Sequence, residues 1–171
     1  MLSALHHRGP DERGLFFDAA WSIADNAFGS DRDFQRVDLI GLAFHPVSDR
    51  VFLGAKAAAR WSSDETPFYL RPFVQLRGVQ AMRYQGSEAG EIEVEARWQF
   101  HPRFSVVGFG GVGVAAGRNW LDGDRETVVA GGAGFRYLVA KSYGMHMGID
   151  VALGPDQTIW YVVFGNGWFR P

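Results

Sequence analysis

Three carboxylates at alternate positions are the first residues in this chain whose types and spacing suggest chemistry. Glu91, Glu93 and Glu95 lie in the segment EIEVEARWQF (91–100), and Arg97 follows them at the same spacing. Alternate residues of a β-strand project from one face, so these four charges share a face. Such a row could coordinate a hard cation or form ion pairs in a polar interior. We expect ion pairs and predict no metal site.

The remaining reactive residue types do not form a catalytic set. His45 and His101 each precede a proline, which is typical of turns. His146 and Asp150 share one extended segment but are separated by about 13 Å, too far for a direct pair. The chain contains no cysteine, which excludes a disulfide, a zinc–thiolate site and a cysteine nucleophile. With no Ser–His–acid group gathered at one edge, we predict that the protein is not an enzyme and needs no cofactor.

Extended strands must position these side chains, because apolar and polar residues alternate along most of the chain. Between the charges of 91–100 lie Ile92, Val94, Ala96, Trp98 and Phe100. Alternation recurs about eight times in runs of about 9 to 12 residues, which is long for globular strands and suits a tilted bilayer crossing. No stretch of about 18 apolar residues occurs, so no spanning helix is predicted. The net charge of -2 argues against a nucleic-acid partner.

The lengths of the connections give a second, independent indication. The short segments HPVSDR, HPR and AKSYG join strands two to three, four to five and six to seven. Mostly longer segments lie on the opposite side, and the longest covers residues 62–90. This segregation is typical of outer-membrane barrels, whose short turns are periplasmic.

Aromatic residues gather near the strand ends, as in the aromatic girdles of membrane barrels. On the short-turn side they are Phe44, Phe52, Trp98, Phe100, Phe104, Tyr137 and Trp168, and on the other side Trp61, Phe68, Tyr69, Trp120 and Trp160.

We therefore predict an all-β fold: an eight-stranded antiparallel up-and-down transmembrane β-barrel with one long extracellular loop between strands three and four. Residues 1–171 form a single domain, with residues 1–12 expected to be a frayed N-terminal segment. The charges predicted to face the lumen have both signs and are expected to pair. They are Arg36, Asp38, Lys56, Arg60, Glu91, Glu93, Glu95, Arg97, Arg136 and Asp150.

From Gly14 to Trp168 the chain resembles the C-terminal half of the BamA/TamA family of outer-membrane assembly and translocation barrels, also called bacterial surface antigens. The long loop contains LRGVQAMRYQG, similar to the family's arginine–glycine–aromatic motif, with Arg77 and Gly78 matching and Arg83 nearby. The segments VVGFGGVGVAAG, VAGGAGFRYLVAKSYGMHMGIDVALGP and IWYVVFGNGW resemble later strands of the family. The resemblance makes Arg136 and Asp150 further candidates for the lumenal site.

The chain also departs from the family pattern. Family members usually have sixteen strands preceded by POTRA domains, whereas this chain has room for eight strands and no POTRA domain. Val79 replaces the aromatic residue after Arg–Gly, and Gly111 replaces an acid of the fifth strand, so the loop arginine is expected to lack its usual partner.

An eight-stranded lumen is filled by its own side chains, so the long loop is not expected to enter it. The loop could stay outside, two chains could pool their strands, or the chain could be half of a split protein; we favour the closed monomer over a strand-sharing homodimer.

The function that the resemblance implies is that of an integral outer-membrane barrel acting in membrane-protein insertion or as a structural or interaction barrel. Its expected partners are the lipid bilayer and protein cargo or assembly proteins, and its expected location is the bacterial cell outer membrane. The start of this chain is not a complete secretory signal. The alternatives are an oligomeric secretion or transport pore and a soluble lipid-binding barrel of lipocalin type.

Overall fold

The computed structural model describes residues 13–25, 33–117, 125–140 and 145–164. The predicted frayed segment 1–12 lies outside these residues, as do Trp120 and Trp168 of the predicted girdles. The strands are β1 (Gly14–Ala24), β2 (Phe34–Ser48), β3 (Val51–Ser62), β4 (Glu88–His101), β5 (Phe104–Ala116), β6 (Arg125–Ala140), β7 (Met145–Leu153) and β8 (Thr158–Phe164). The other element in the described ranges is a short 3₁₀ helix, Phe68–Leu70.

All eight strands form one antiparallel up-and-down sheet in the order of the sequence. Each strand pairs with the next, so the prediction of an all-β, eight-stranded up-and-down fold is confirmed. The predicted closure is not observed: within the described ranges the order begins at β1 and ends at β8, and these two strands do not pair. The sheet therefore has two edges.

The strand register gives the sheet one charged face, because directly opposite residues of antiparallel strands project to the same side. Lys56 is opposite Glu93, and Asp38 is opposite Arg60. We call the side that carries these residues the polar face. Glu93 is only 2% exposed there, whereas its neighbour Val94 on the other side is 54% exposed.

The other side, which we call the apolar face, carries large hydrophobic side chains from every strand. Its exposed members include Leu15, Phe17, Trp21, Leu39, Leu53, Ile92, Val94, Trp98, Val112, Val129, Phe135, Met147, Ile149, Leu153, Trp160 and Val162. This face is exposed within the described structure, while the polar face is largely covered.

The long connection between β3 and β4, residues 63–87, covers the polar face. Its residues Val74, Leu76 and Val79 are buried in one cluster with Ala115 of β5 and Val128 of β6. The expectation that this connection cannot enter the lumen of a closed eight-stranded barrel stays a prediction. It assumed eight strands closed tightly on themselves, whereas the sheet is open.

Two glycines of β5 make room for the connection. A Cβ atom at Gly111 would lie 2.8 Å from Leu76 Cδ2, and one at Gly113 would overlap the side chain of Val74. Both glycines face the polar side, opposite Glu93 and Glu91 of β4. Their missing side chains therefore form the depression into which the two apolar residues of the connection fit.

The turns on one side are short, as predicted. Asp49 and Arg50 join β2 to β3, and Pro102 and Arg103 join β4 to β5, while the turn from β6 to β7 lies in residues 141–144, outside the described ranges. Beside these turns is an aromatic cluster formed by Trp98, Phe100, Phe104, Phe135 and Tyr137. Phe52, which was grouped with the girdle, instead lies on the polar face, 4.5 Å from the Arg97 guanidinium carbon.

Candidate functional site

Arg77, in the middle of the long connection, joins carboxylates from two distant strands. Its Nε donates to Glu93 Oε1 at 2.8 Å, and its Nη1 lies 2.7 Å from Glu95 Oε2, both on β4. The same Nη1 donates to Asp150 Oδ2 of β7 at 3.3 Å, and the backbone N–H of Arg77 donates to Glu93 Oε2 at 3.1 Å. The residue is 5% exposed, so these contacts are shielded from solvent.

An aromatic ring completes the surroundings of the guanidinium. The Cζ atom of Arg77 lies 3.7 Å from the centre of the Phe109 ring on β5, a cation–π contact. Burial alone would lower the pKa of Arg77, but the charges of Glu95 and Glu93 outweigh that cost and raise the pKa above its ordinary value. Arg77 is therefore a permanent cation that the sheet surrounds with negative charge.

Asp150 links Arg77 to a second arginine. Arg136 of β6 donates to both carboxylate oxygens of Asp150, with its Nη2 at 2.9 Å from Oδ2. Asp150 is fully buried and Arg136 is 2% exposed. Arg77, Glu93, Glu95, Arg136 and Asp150 together form what we call the Arg77 cluster.

Gly78 allows the connection to approach the sheet backbone. Its φ of 93° lies in the left-handed region that favours glycine. Its N–H donates to the Tyr161 hydroxyl of β8 at 3.0 Å. A Cβ atom at Gly78 would lie 3.2 Å from the Leu153 carbonyl and from the Gly154 nitrogen, so the position has no room for a side chain without movement of the backbone.

A second group of ion pairs holds the earlier part of the connection. Arg60 Nη1 donates to Glu91 Oε2 at 2.9 Å, and Lys56 Nζ lies 3.0 Å from Glu91 Oε1. Gln75 takes part through its backbone: its N–H donates to Glu91 Oε2 and its carbonyl accepts from Lys56 Nζ, each at 2.8 Å. Arg36, paired with Asp38 at 2.7 Å, donates to the Leu70 carbonyl at 2.8 Å.

The Arg77 cluster requires the sheet to curve towards its polar face. β4 and β7 are three strand spacings apart, which on a flat sheet is roughly 14 Å. One guanidinium nevertheless contacts carboxylates on both strands. Arg97 of β4 and His146 of β7 also meet, with Nη1 and Nδ1 3.4 Å apart. The polar face is therefore concave, and the apolar face is convex.

Most of the predicted site residues come together, but one does not. Ten of them lie in the two groups just described: Arg77, Glu93, Glu95, Arg136, Asp150, Arg36, Asp38, Lys56, Arg60 and Glu91. Gly78 lies beside Arg77, and Arg97 contacts His146 and Phe52 on the same face. Arg83 is separate, forming an exposed pair with Asp156 at 3.3 Å.

The fifth strand carries glycine instead of an acid at Gly111, but other strands supply carboxylates to Arg77. Gly111 lies directly opposite Glu93 in the β4–β5 register, and Glu93 supplies the carboxylate from one strand away. Asp150 supplies another from β7.

Sequence reasoning missed Phe109, Tyr161 and Gln75 as parts of the site. The registers of the glycine-rich β5 and the aromatic β8 were left open, so the faces of Phe109 and Tyr161 were unknown. Gln75 acts largely through backbone atoms, for which the sequence carries no signal. His146 was placed on the same extended segment as Asp150, but its contact with Arg97 depends on the curvature of the sheet.

Chemically, the Arg77 cluster is a set of buried ion pairs. In the described part of the chain, no group of three or more His, Asp or Glu residues could hold a metal ion. No helix within the described ranges is long and apolar enough to cross a membrane. No protein-family model and no curated protein matches the chain. The contacts of Arg77 with Glu93 and Asp150 indicate that the cluster fixes the connection against the sheet.

Proposed function

We propose that this chain is an integral outer-membrane β-barrel protein whose apolar face contacts the acyl chains of the bilayer. The observation that carries the proposal is the reversal of the usual burial pattern. Ile92 and Val94 are more than half exposed, while Glu93, between them, is 2% exposed. Soluble proteins rarely expose contiguous apolar surface of more than a few hundred Å². A hydrocarbon solvent accounts for such a face on every strand.

The same reversal argues against the soluble lipid-binding alternative. A lipocalin-type barrel would enclose its apolar side chains and expose its charges to water. Here Glu91, Arg136 and Asp150 are at most 4% exposed, whereas Phe17 and Trp160 are at least 70% exposed. The pore alternative has no specific support either, because the long connection covers the polar face along which a water path would run.

We propose further that the strands belong to a closed barrel in the membrane. Backbone N–H and C=O groups that lack a partner in hydrocarbon cost several kcal/mol each. The outer edges of β1 and β8 carry such groups, so both edges need a neighbouring strand at bilayer depth.

The role proposed is in membrane-protein insertion or in surface interaction, with protein cargo or assembly proteins as partners. It is supported by the resemblance to BamA/TamA barrels and by the way Arg77 and Gly78 hold the long connection on the concave face. A fixed connection of this kind would give the barrel a defined interior. Fold alone does not specify the task.

Single-cysteine labelling tests the membrane location, because the chain has no cysteine of its own. A spin label at Val94→Cys on the apolar face should be reached by oxygen but protected from a water-soluble relaxation agent in lipid vesicles. The matched control is Met82→Cys on the long connection, at a residue that is also exposed. Equal access of the water-soluble agent to both labels would refute the proposal.

A further inference from the structure

We propose that the protein binds an anionic phospholipid at the short-turn end of the sheet, where the β2–β3 and β4–β5 turns lie. Arg50 and Arg103 of these turns hold the lipid phosphate, and the aromatic cluster beside them holds an acyl chain. This inference rests on the proposed membrane location and adds the chemical class of a bound lipid.

The two short turns meet at Gln99, near the end of β4. The backbone N–H of Gln99 donates to the carbonyl of Arg50, in the β2–β3 turn, at 2.8 Å. Its Nε2 donates to the carbonyl of Pro102, in the β4–β5 turn, at 3.2 Å. Arg50 and Arg103 are both exposed. These hydrogen bonds therefore bring two arginines that are distant in the sequence to the same end of the sheet.

The guanidinium of Arg103 is held at the border of the aromatic cluster. Its Nη1 donates to the Tyr137 hydroxyl at 2.9 Å, and its Cζ lies 6.0 Å from the centre of the Tyr137 ring. Among the described residues, Tyr137 is the one hydrogen-bond acceptor of this guanidinium. A guanidinium has five N–H donors, so most of them remain for a ligand. Arginine and phosphate form strong, often bidentate, charge-assisted hydrogen bonds.

The charge of the two turns favours an anion. Asp49 is the one carboxylate in them, and neither Arg50 nor Arg103 forms an ion pair with another described residue. Two cations without a bound carboxylate leave this end of the sheet with positive charge. Anionic lipid headgroups attract basic residues that lie near the bilayer surface.

The aromatic cluster supplies the contact for the acyl chain. Trp98, Phe100 and Phe135 are each 45% exposed or more. Phe104 joins them, with its ring centre 6.5 Å from that of Phe100 and 5.6 Å from that of Phe135. Aromatic rings at strand ends are typical of the level at which headgroups meet hydrocarbon. Exposed rings beside exposed guanidinium groups therefore match a ligand with a charged head and an apolar chain.

A groove continues from the aromatic cluster along the apolar face. It has a volume of about 390 Å³, and its lining includes Leu53, Val94, Ala96 and Gly108. Ala96 shares a face with Trp98, two residues further along β4, so the groove begins beside the cluster. Its volume lies within the range of about 300–1,000 Å³ that is usual for ligand sites. An acyl chain that leaves the rings can therefore lie in this groove.

Quenching of Trp98 fluorescence by brominated lipid tests the proposal in the full chain. The protein is reconstituted in phosphatidylcholine vesicles with a minor fraction of brominated lipid, either phosphatidylglycerol or phosphatidylcholine. The chain has six tryptophans, and subtraction of the Trp98→Phe emission isolates the signal of Trp98. We expect brominated phosphatidylglycerol to quench Trp98 at a lower fraction than brominated phosphatidylcholine does.

Two double variants assign this preference to the short-turn arginines. Arg50→Gln/Arg103→Gln should lower the preference for phosphatidylglycerol by about five-fold per arginine, which is about 1 kcal/mol for a basic residue near an anionic surface. The matched control is Arg71→Gln/Arg83→Gln, which removes the same charge from exposed residues of the long connection. The control should keep the preference of the unmodified chain.

Four results would overturn the inference. Equal quenching of Trp98 by the two lipids would reject the headgroup site and leave the membrane location in place. The same loss of preference in both double variants would assign it to net charge rather than to this site. Relief of quenching by dissolved glycerol 3-phosphate would identify a site for free phosphate instead of a lipid. Absence of quenching by either lipid would reject both the lipid site and the membrane location.

Discussion

Removing the side chain of Arg77 should be among the most destabilising single changes in this protein. In Arg77→Ala, Asp150 keeps its pair with Arg136, but Glu93 loses the Nε and Nη2 contacts and Glu95 loses Nη1. Loss of one partner of a buried ion pair costs about 3–5 kcal/mol, because the other charge stays buried. That is a large fraction of a typical folding free energy of about 5–15 kcal/mol.

Urea unfolding in lipid vesicles, followed by tryptophan fluorescence, measures this change. With an m-value of about 1–3 kcal/mol per molar urea, the Arg77→Ala midpoint should fall by one molar or more. The matched control is Arg83→Ala, because Arg83 and Asp156 are both about half exposed. An exposed ion pair contributes about 0–1 kcal/mol, so the control should unfold close to the unmodified protein.

A double-mutant cycle separates the charge effect from simple loss of packing. Glu93→Gln removes the charge that Arg77→Ala leaves unpaired, so the double variant should be more stable than the sum of the two single losses predicts. Limited proteolysis gives a second readout, because the connection 63–87 should become cleavable in Arg77→Ala. If Arg77→Ala lowers the free energy of unfolding by less than about 1 kcal/mol and the connection stays protected from protease, the buried ion pairs of Arg77 do not hold the connection in place.

Two further predictions concern glycines that admit the long connection. Gly78→Ala should lower the free energy of unfolding by about 1–3 kcal/mol, because a Cβ at this φ of 93° would lie 3.2 Å from the backbone of Leu153 and Gly154. The control is Gly14→Ala, where nothing lies within 4 Å of the added Cβ, and it should leave the urea midpoint unchanged. Gly113→Val should displace Val74 and make the connection accessible to protease, because a Cβ at Gly113 overlaps the Val74 side chain. Gly108→Val is the control, since nothing lies within 4 Å of a Cβ there, and it should leave the cleavage pattern unchanged. Identical cleavage patterns for the two variants would contradict the packing described for β5.

The faces of the strands could be predicted well, because the strand period of two is a local property of the chain. Where the pattern was clear, as in β4, the alternation correctly placed Glu93 on one side and Val94 on the other. It gave no answer for β5, because glycine has no side chain to assign to a face. The face of Phe109 followed only from its pairing opposite Glu95.

The partners of the predicted site residues were less accessible to sequence reasoning. Arg77 was selected by resemblance. It was expected to lack its usual partner because Gly111 stands in the fifth strand, and no other ligands were named for it. The structure supplies them from residues 16 and 73 positions away. No local pattern encodes such distances, since they depend on how far the sheet curls.

By itself the sequence determined the strands, their order, the short turns and the separation of charges from apolar side chains. These follow from alternation and from turn residues, which act over a few positions. Only the tertiary structure decided that the long connection lies on the concave face and that the sheet keeps two open edges. Both depend on curvature summed over eight strands and on the space left by glycines, and these are properties of the whole sheet.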